Sequence, residues 1–368
     1  MAEKRRSLFD AKDYGEVDMI LSEPFFSVIM PVHNAARYIE KAIQSILTQT
    51  YTNFELIIVD DKSTDNSLQI CNSFAQQDKR VIVKSTKENI GVSNARNEGL
   101  KWIRGKYITF VDSDDWIDNS IFEEAYTSIQ TYNFPSVIKY GCIEEYFDIH
   151  NELLGTKQVS FSSNHMFNNA NDIRKYIIEM EQMPLFGYVC NGFYKSSIIK
   201  SHALSFSTDL KVNEDFFFNL CYFSYVDTMI CLKQTAYHYA KRVNNSLSTK
   251  KNNEYYKFHM FKIEQLFRYY TDWNLLLPDI QDKIYWLYTR YIYSTICREK
   301  ENDRVIKEIY QSQRFKDFQN HIFLNMPIKQ KVLIGILKSE NKISLHTICM
   351  VIMFVQRYCR VFFAKIKE

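Results

Sequence analysis

The 368-residue chain predicts an α/β fold, a mostly parallel sheet flanked by helices, followed by a helical C-terminal region. Three observations carry that expectation. Four short apolar runs recur before residue 112, each bounded by polar residues as buried strands are. Segments with apolar residues at helical spacing lie between them. Strand–helix–strand repeats of this spacing point their strands the same way, so the polar and acidic residues that end the runs fall on one sheet edge.

Residues 1–24 read as a polar leader that ends at Pro24. Ser27–Val32 is the first strand, and Asn34 is placed to cap the helix that follows. In that helix Ile39, Ala42, Ile43, Ile46 and Leu47 form one apolar face. Phe54–Val59 is the second strand and runs into Asp60-Asp61. Ser63 to Ser67 supply turn and cap residues for a helix near 68–76. Val81–Val83 is a third strand, 94–104 a helix, and Tyr107–Val111 a fourth strand followed at once by Asp112-Ser113-Asp114-Asp115. After about residue 130 the regularity weakens. Val137–Gly141 reads as a strand, 148–171 as polar loop, and 184–248 as a second motif-rich stretch. From about 250 the chain reads as helical and rich in Tyr, Phe, Ile and Lys. The expected division is a leader over 1–24, a catalytic domain over 25–250 and a helical region over 251–368.

Composition narrows the function. Hydrophobic residues make up 46% of the chain and aromatics 15%, with 9 Gly and 6 Pro, which excludes wholesale disorder and a collagen-like chain. A net charge of +3 gives no argument for a nucleic-acid partner. The eight cysteines form no CxxC pair and no zinc spacing. Scattered thiols behind an N-terminus without an apolar signal stretch predict a cytoplasmic protein. Ile343 to Gln356 is uncharged apart from His346, yet shorter than the ~20 residues a spanning helix needs. Arg357, Arg360, Lys365 and Lys367 follow, with Phe362 and Phe363 between them. Two readings of 343–368 stay open: an apolar, basic helix lying on an anionic membrane face, or one packed on the protein body. The aromatic tail also leaves a homodimer open.

In parallel sheets ligands bind beyond the carboxyl ends of the strands. His33 and Asn34, Asp60-Asp61, and Asp112 with Asp114 all fall there. The alternative is a set of ordinary turn residues, and several acidic ends on one edge favour a site. Two carboxylates spaced as in Asp112-x-Asp114 reach one hard cation. Mg²⁺ or Mn²⁺ held so is completed by water and substrate phosphates, and it makes a diphosphate a better leaving group.

The stretches SVIMPVHNAARYIEKAIQSILTQTYTNFELIIVDDKSTDNS, ENIGVSNARNEGL and GKYITFVDSDDW, within Ser27–Ile129, resemble family 2 glycosyltransferases in order and spacing. That family has the GT-A fold, a Rossmann-like nucleotide-diphospho-sugar-binding fold. The resemblance implies that Pro31, His33 and Asn34 lie beside the nucleobase and ribose, His33 where an aromatic residue often stacks. It implies that Asp61, with Asp60, accepts from the uracil ring N–H, and that Arg96 lies near the nucleotide or orients Asp112 or Asp61 through a salt bridge. Asp112, with Ser113, faces the ribose or the metal, Asp114 holds the metal bridging the diphosphate, and Asp115 supports the loop.

The family places its general base in a downstream Glu-Asp pair, here Glu214-Asp215. Asp215 is the expected base and Glu214 orients it or the acceptor; a helix N-terminal acid is the alternative. Tyr188 to Lys195 occupies the acceptor-side segment, which makes Asn191 an acceptor or phosphate candidate. Tyr237-His238-Tyr239 and Arg242-x-x-x-Ser246-x-Ser248 resemble the family's closing stretch. His238 is there a metal or diphosphate candidate or a packed core histidine, and Arg242 a phosphate contact or a loop holder. The expected activity is inverting, divalent-metal-dependent transfer from a nucleotide-sugar, most simply a UDP-sugar, to a saccharide or lipid-linked saccharide in surface polysaccharide synthesis. The enzyme would be cytoplasmic or peripheral on the inner membrane face. The alternative is a degenerate nucleotide-sugar-binding protein. A nucleotidyltransferase is disfavoured because PVHNAARY contains no Gly, and a dehydrogenase because no GxGxxG follows the first strand.

Overall fold

The computed structural model describes residues 23–242, 255–298, 303–324 and 326–358. The four expected strands form as β1 (Phe26–Val32), β2 (Phe54–Asp60), β3 (Val81–Ser85) and β4 (Tyr107–Phe110). They pair in parallel in the order β3-β2-β1-β4. β1 and β2 are buried along their whole length, so both faces of the sheet are covered, and this is why they read as unbroken apolar runs. Register fixes the edge: Val32 lies opposite Asp60, and Ile29 opposite Phe110. The residues after β1, β2 and β4 therefore emerge side by side.

β5 (Trp116–Ile117), β6 (Val137–Phe147), β7 (Leu153–Val159), β8 (His165–Phe167), β9 (Gly192–Lys195) and β10 (Met229–Arg242) extend the sheet. The path continues from β4 through β9, β6 and β10 to β5, with β7 on β6 and β8 on β10. β9 runs antiparallel between β4 and β6, so the sheet is parallel in its first half and mixed in its second. β10 pairs in parallel with β6 across register shifts near Thr235, bulges that re-aim its last residues.

Two local expectations are corrected. Asn34 does not cap the first helix, which begins at Ile39; Ala35–Tyr38 forms a turn first, with Tyr38 N–H donating to the Ala35 carbonyl at 2.8 Å. Asn34 instead adopts a left-handed φ of 51° and bonds across to Thr64. The stretch 148–171 is not all loop, because β7 and β8 lie in it; β7 is an edge strand whose side chains are exposed except at Val159, so no apolar alternation announces it.

The C-terminal region is helical as expected, with the helices Tyr255–Asp272, Pro278–Arg298, Asp303–Gln311, Gln313–Asn320, Ile328–Lys338 and Lys342–Tyr358. Pro278–Arg298 is its hub, burying Ile284, Tyr288 and Ile292. It packs on the helices Ala170–Gln182 and Tyr255–Asp272, and Lys283 reaches Glu179 at 2.8 Å. Lys342–Tyr358 packs on this hub through Leu345 and Cys349, yet leaves Ile343 80% exposed. No helix among the described residues is long and apolar enough to cross a membrane. Most of the leader, Ser246, Ser248, and the tail residues Arg360, Phe362, Phe363, Lys365 and Lys367 lie outside the described residues.

Candidate active site

At the ends of β1 and β2 the predicted polar residues meet in a bonded cradle. Asp61 N–H donates to the Val32 carbonyl at 2.7 Å, tying the two strand ends together. Its Oδ1 accepts from the Ile90 N–H at 2.8 Å and the Thr86 hydroxyl at 3.1 Å, and its Oδ2 from the Gly91 N–H at 2.8 Å. Gly91 has φ 82°, a left-handed conformation that turns two successive amides toward one carboxylate and suits glycine. His33 Nδ1 donates to the Asp61 carbonyl at 2.8 Å, and the Asn89 amide lies 3.1 Å from Nε2. The His33 and Asn34 side chains stay exposed at the edge. Asp61 is itself buried, its carboxylate held by those donors; Pro31 is buried beside Val59, and Asp60 is buried with its carboxylate turned to the Ser63 N–H at 3.2 Å.

Arg96 organises the next part. It sits on the helix Val92–Leu100, buried, and its guanidinium spans two elements. Nη2 donates to Asp112 Oδ1 at 2.9 Å, beyond β4; Nη1 donates to Asp215 Oδ1 at 2.8 Å and Glu214 Oε1 at 3.4 Å, at the start of the helix Glu214–Phe223. The salt-bridge reading of Arg96 toward Asp112 is thus realised and extended to Glu214-Asp215. Asp215 also faces the Val189 N–H at 3.4 Å and keeps 16% of its side chain exposed. Burial raises its pKa to about 7; Arg96 pulls it down, while Glu214 and Asp112 push it up. A carboxyl so poised has the pKa of a general base for neutral pH.

The Asp114 side chain is 47% exposed. Its carboxyl is pushed up by desolvation and by the like charge of Asp112, with Arg242 opposing. Arg242, at the end of β10, donates from Nη1 to Asp114 Oδ2 at 3.1 Å and to the Asp114 carbonyl, and stacks 3.8 Å over Tyr38. It holds the loop that carries Asp114. Asp115 is buried and accepts from the Tyr237 hydroxyl at 2.7 Å and the Ala240 N–H at 2.8 Å; that hydroxyl in turn accepts from the Asp112 N–H at 3.2 Å. Asp115 thus fastens the acidic loop to β10. Ser113 lies half-buried between Asp112 and Asp114. Among the described residues no three His, Cys, Asp or Glu side chains converge into a cage for a metal ion. Asp112 and Asp114 fit the other arrangement, in which one or two carboxylates share a hard cation with water and phosphate oxygens. Their mutual repulsion is the kind of charge excess such a cation relieves.

Two candidates are placed elsewhere. Asn191 is fully buried, so its expected acceptor or phosphate contact does not hold; its Nδ2 donates to the Leu185 and Tyr140 carbonyls at 2.9 and 3.1 Å, and its Oδ1 accepts from Lys139. Both ring nitrogens of His238 face carboxylates, Nδ1 Glu145 at 2.6 Å and Nε2 Asp118 at 3.0 Å, and the ring stacks on Trp116. That is the packed-histidine reading. Sequence reasoning did not single out Tyr237 as the anchor of the acidic loop, nor Ile90 and Gly91 as amide donors, although the glycine in ENIGVSNARN was a signal for a left-handed turn.

Residues 27–189 match the family described as Glycosyl transferase family 2. The chain is 32% identical over 229 residues to the glycosyltransferase GlyA of Streptococcus pneumoniae, covering 61% of this chain and 31% of that protein. It is 30% identical over 288 residues to the minor teichoic acid biosynthesis protein GgaB of Bacillus subtilis, covering 70% of this chain and 30% of that protein. The chain thus spans less than a third of each of these relatives. The crystal structure of S. aureus TarS 1-349 in complex with UDP-GlcNAc superposes with a TM-score of 0.56 at 19% identity, over 88% of this chain and 90% of that one. The likeness is one of fold, and the sheet described above is a GT-A sheet.

Proposed function

Residues 27–189 match glycosyl transferase family 2, and on that premise we propose that the chain is an inverting, metal-dependent glycosyltransferase using a UDP-sugar donor and a saccharide or lipid-linked saccharide acceptor. The observation that carries the reading is the Arg96 bridge, which sets a carboxylate beyond β4 and a carboxylate with a raised pKa on either side of one guanidinium. The TarS complex with UDP-GlcNAc supports a UDP-sugar, and the name of GgaB supports surface polymer synthesis.

In this reading the base of the donor lies over His33 and Asn34, beside Asp61, with the ribose and diphosphate running toward Asp112 and Asp114. Mn²⁺ or Mg²⁺ held by Asp114 with Asp112 would neutralise the departing diphosphate. Asp215 takes the proton of the acceptor hydroxyl as its oxygen attacks the anomeric carbon. The bond from that carbon to the diphosphate breaks, and the nucleoside diphosphate leaves. One displacement from the opposite face inverts the anomeric centre. Glu214 orients the acceptor and Arg96 keeps Asp215 aimed. Arg242 keeps the Asp114 loop in place.

The catalytic domain in this reading is 25–250, and the helical region 251–368 lies beside the inner membrane face, where basic residues and exposed apolar side chains such as Ile343 meet anionic lipid. The test is a thermal-shift panel of UDP, GDP, CDP and TDP, each with and without Mn²⁺. Stabilisation by UDP only with metal, abolished by Asp114→Asn, is the expected result. Metal-independent stabilisation, or a preference for GDP, would overturn the donor and metal assignments.

A further inference from the structure

The helix that begins with Glu214-Asp215 is entered through a residue with an uncommon backbone. Asn213 has φ 67° and ψ 16°, the left-handed region, which costs an ordinary L-residue energy and which Asn tolerates better than most. It occupies the N-cap position, where an Asn side chain ordinarily accepts from the amides of its own first turn. Here it makes no such bond. Its Nδ2 donates instead to the Phe258 carbonyl at 2.8 Å, on the helix Tyr255–Asp272.

That bond is the first of a series along one seam. Phe217 meets Phe261 at 5.8 Å between ring centroids. Lys262 Nζ lies 4.6 Å over the Phe216 ring and donates to the buried Glu181 at 2.7 Å. Cys221 Sγ lies 3.2 Å from the Tyr269 hydroxyl. Residues 213, 216–217 and 221 thus meet 258, 261–262 and 269 in ascending order, as two helices side by side do. Tyr255–Asp272 acts as a splint along the helix that carries the Glu-Asp pair.

We propose that Asn213 is a positioning residue for Asp215, and that the helix Tyr255–Asp272 is thereby part of the working site rather than an appendage to it. The inference rests on the reading of Asp215 as the base. The physical link is short. Glu214 and Asp215 are the two residues after Asn213, and both bond Arg96. A change of backbone region at Asn213 redirects both carboxylates against a guanidinium that is itself fixed to Asp112. Misplacing a reacting group by about 1 Å costs roughly 10²-fold in rate.

The experiment uses the full chain and three variants. Asn213→Gly keeps the left-handed backbone available and removes the bond to Phe258; Asn213→Ala removes the bond and disfavours the backbone; Asp215→Asn tests the base. Expected are a kcat lower by about tenfold in the Gly variant and about 10²-fold in the Ala variant, with the donor KM unchanged, because Asp61, Asp112 and Asp114 are untouched. Hydrogen exchange at the amides of 214–217 should accelerate in Asn213→Gly. Inactive Asp215→Asn beside a wild-type kcat in both Asn213 variants would overturn this proposal and leave the base assignment standing. A wild-type rate in Asp215→Asn would overturn both. Unchanged exchange at 214–217 would overturn the anchoring role whatever the reaction.

Discussion

Two buried cations mark two regions of this molecule, and they are neutralised differently. Arg96, under the sheet edge, faces three carboxylates: Asp112, Glu214 and Asp215. Lys262, on the helical side, faces one, Glu181, which also accepts from the Tyr291 hydroxyl at 3.3 Å. The second pair is balanced and makes sense as structure. The first carries a surplus of negative charge, which costs stability and persists where function uses it. In the proposed reading the unbalanced cluster is the one that meets substrate, and the balanced pair serves the fold alone.

Asp215→Asn should have the largest effect. If the surplus exists for proton transfer, sugar transfer should fall by about 10³-fold, read as product formed from donor and acceptor, while the melting temperature does not fall. A variant that keeps a tenth of the wild-type rate would make the Arg96 cluster structural as well. Next in size is Arg96→Met. Three carboxylates lose their common cation, and denaturant unfolding should show a loss of about 3–5 kcal/mol. At the balanced pair, Lys262→Met strands Glu181 and should cost about 3 kcal/mol, but Glu181→Leu added to it should recover most of that, because a closed ion pair exchanges well for apolar contact. No single substitution among the three carboxylates should rescue Arg96→Met in the same way. Equal rescue at both clusters would erase the distinction.

The same two regions differ in how far the sequence reveals them. Around Arg96 each contributing strand is a short apolar run covered on both faces, and parallel register lines up their ends, so Asp61, Asp112 and Asp114 could be placed on one edge by pattern alone. Asp60 shows the limit of that logic: it adjoins Asp61, but its side chain turns inward to the Ser63 amide. Asn191 shows another. It lies in a motif-like stretch, yet β9 inserts antiparallel between β4 and β6 and draws that stretch into the buried middle of the sheet, a crossover no local spacing encodes. Lys262 and Glu181 are 81 residues apart, and nothing in either neighbourhood announces the other. His238 joined a recognisable Tyr-His-Tyr run, but its partners Glu145 and Asp118 come from elements whose pairing follows bulges in β10.

A final expectation is a pH signature of the unbalanced cluster. Folding raises the Asp215 pKa from 3.8 to about 7, chiefly through burial. The unfolded chain therefore gives up this proton at lower pH than the folded one. Between those two values folding takes up a proton, so the stability this group contributes is full below about pH 4 and is lost as pH rises through about 7. Asp215→Asn removes that loss. Its free energy of unfolding relative to wild type should climb as pH goes from 4 to 8, by about 1 to 4 kcal/mol. A flat difference for Asp215→Asn would mean that the carboxyl ionises in the fold as it does in water, and the surplus of charge around Arg96 would then be relieved by solvent rather than held for a substrate.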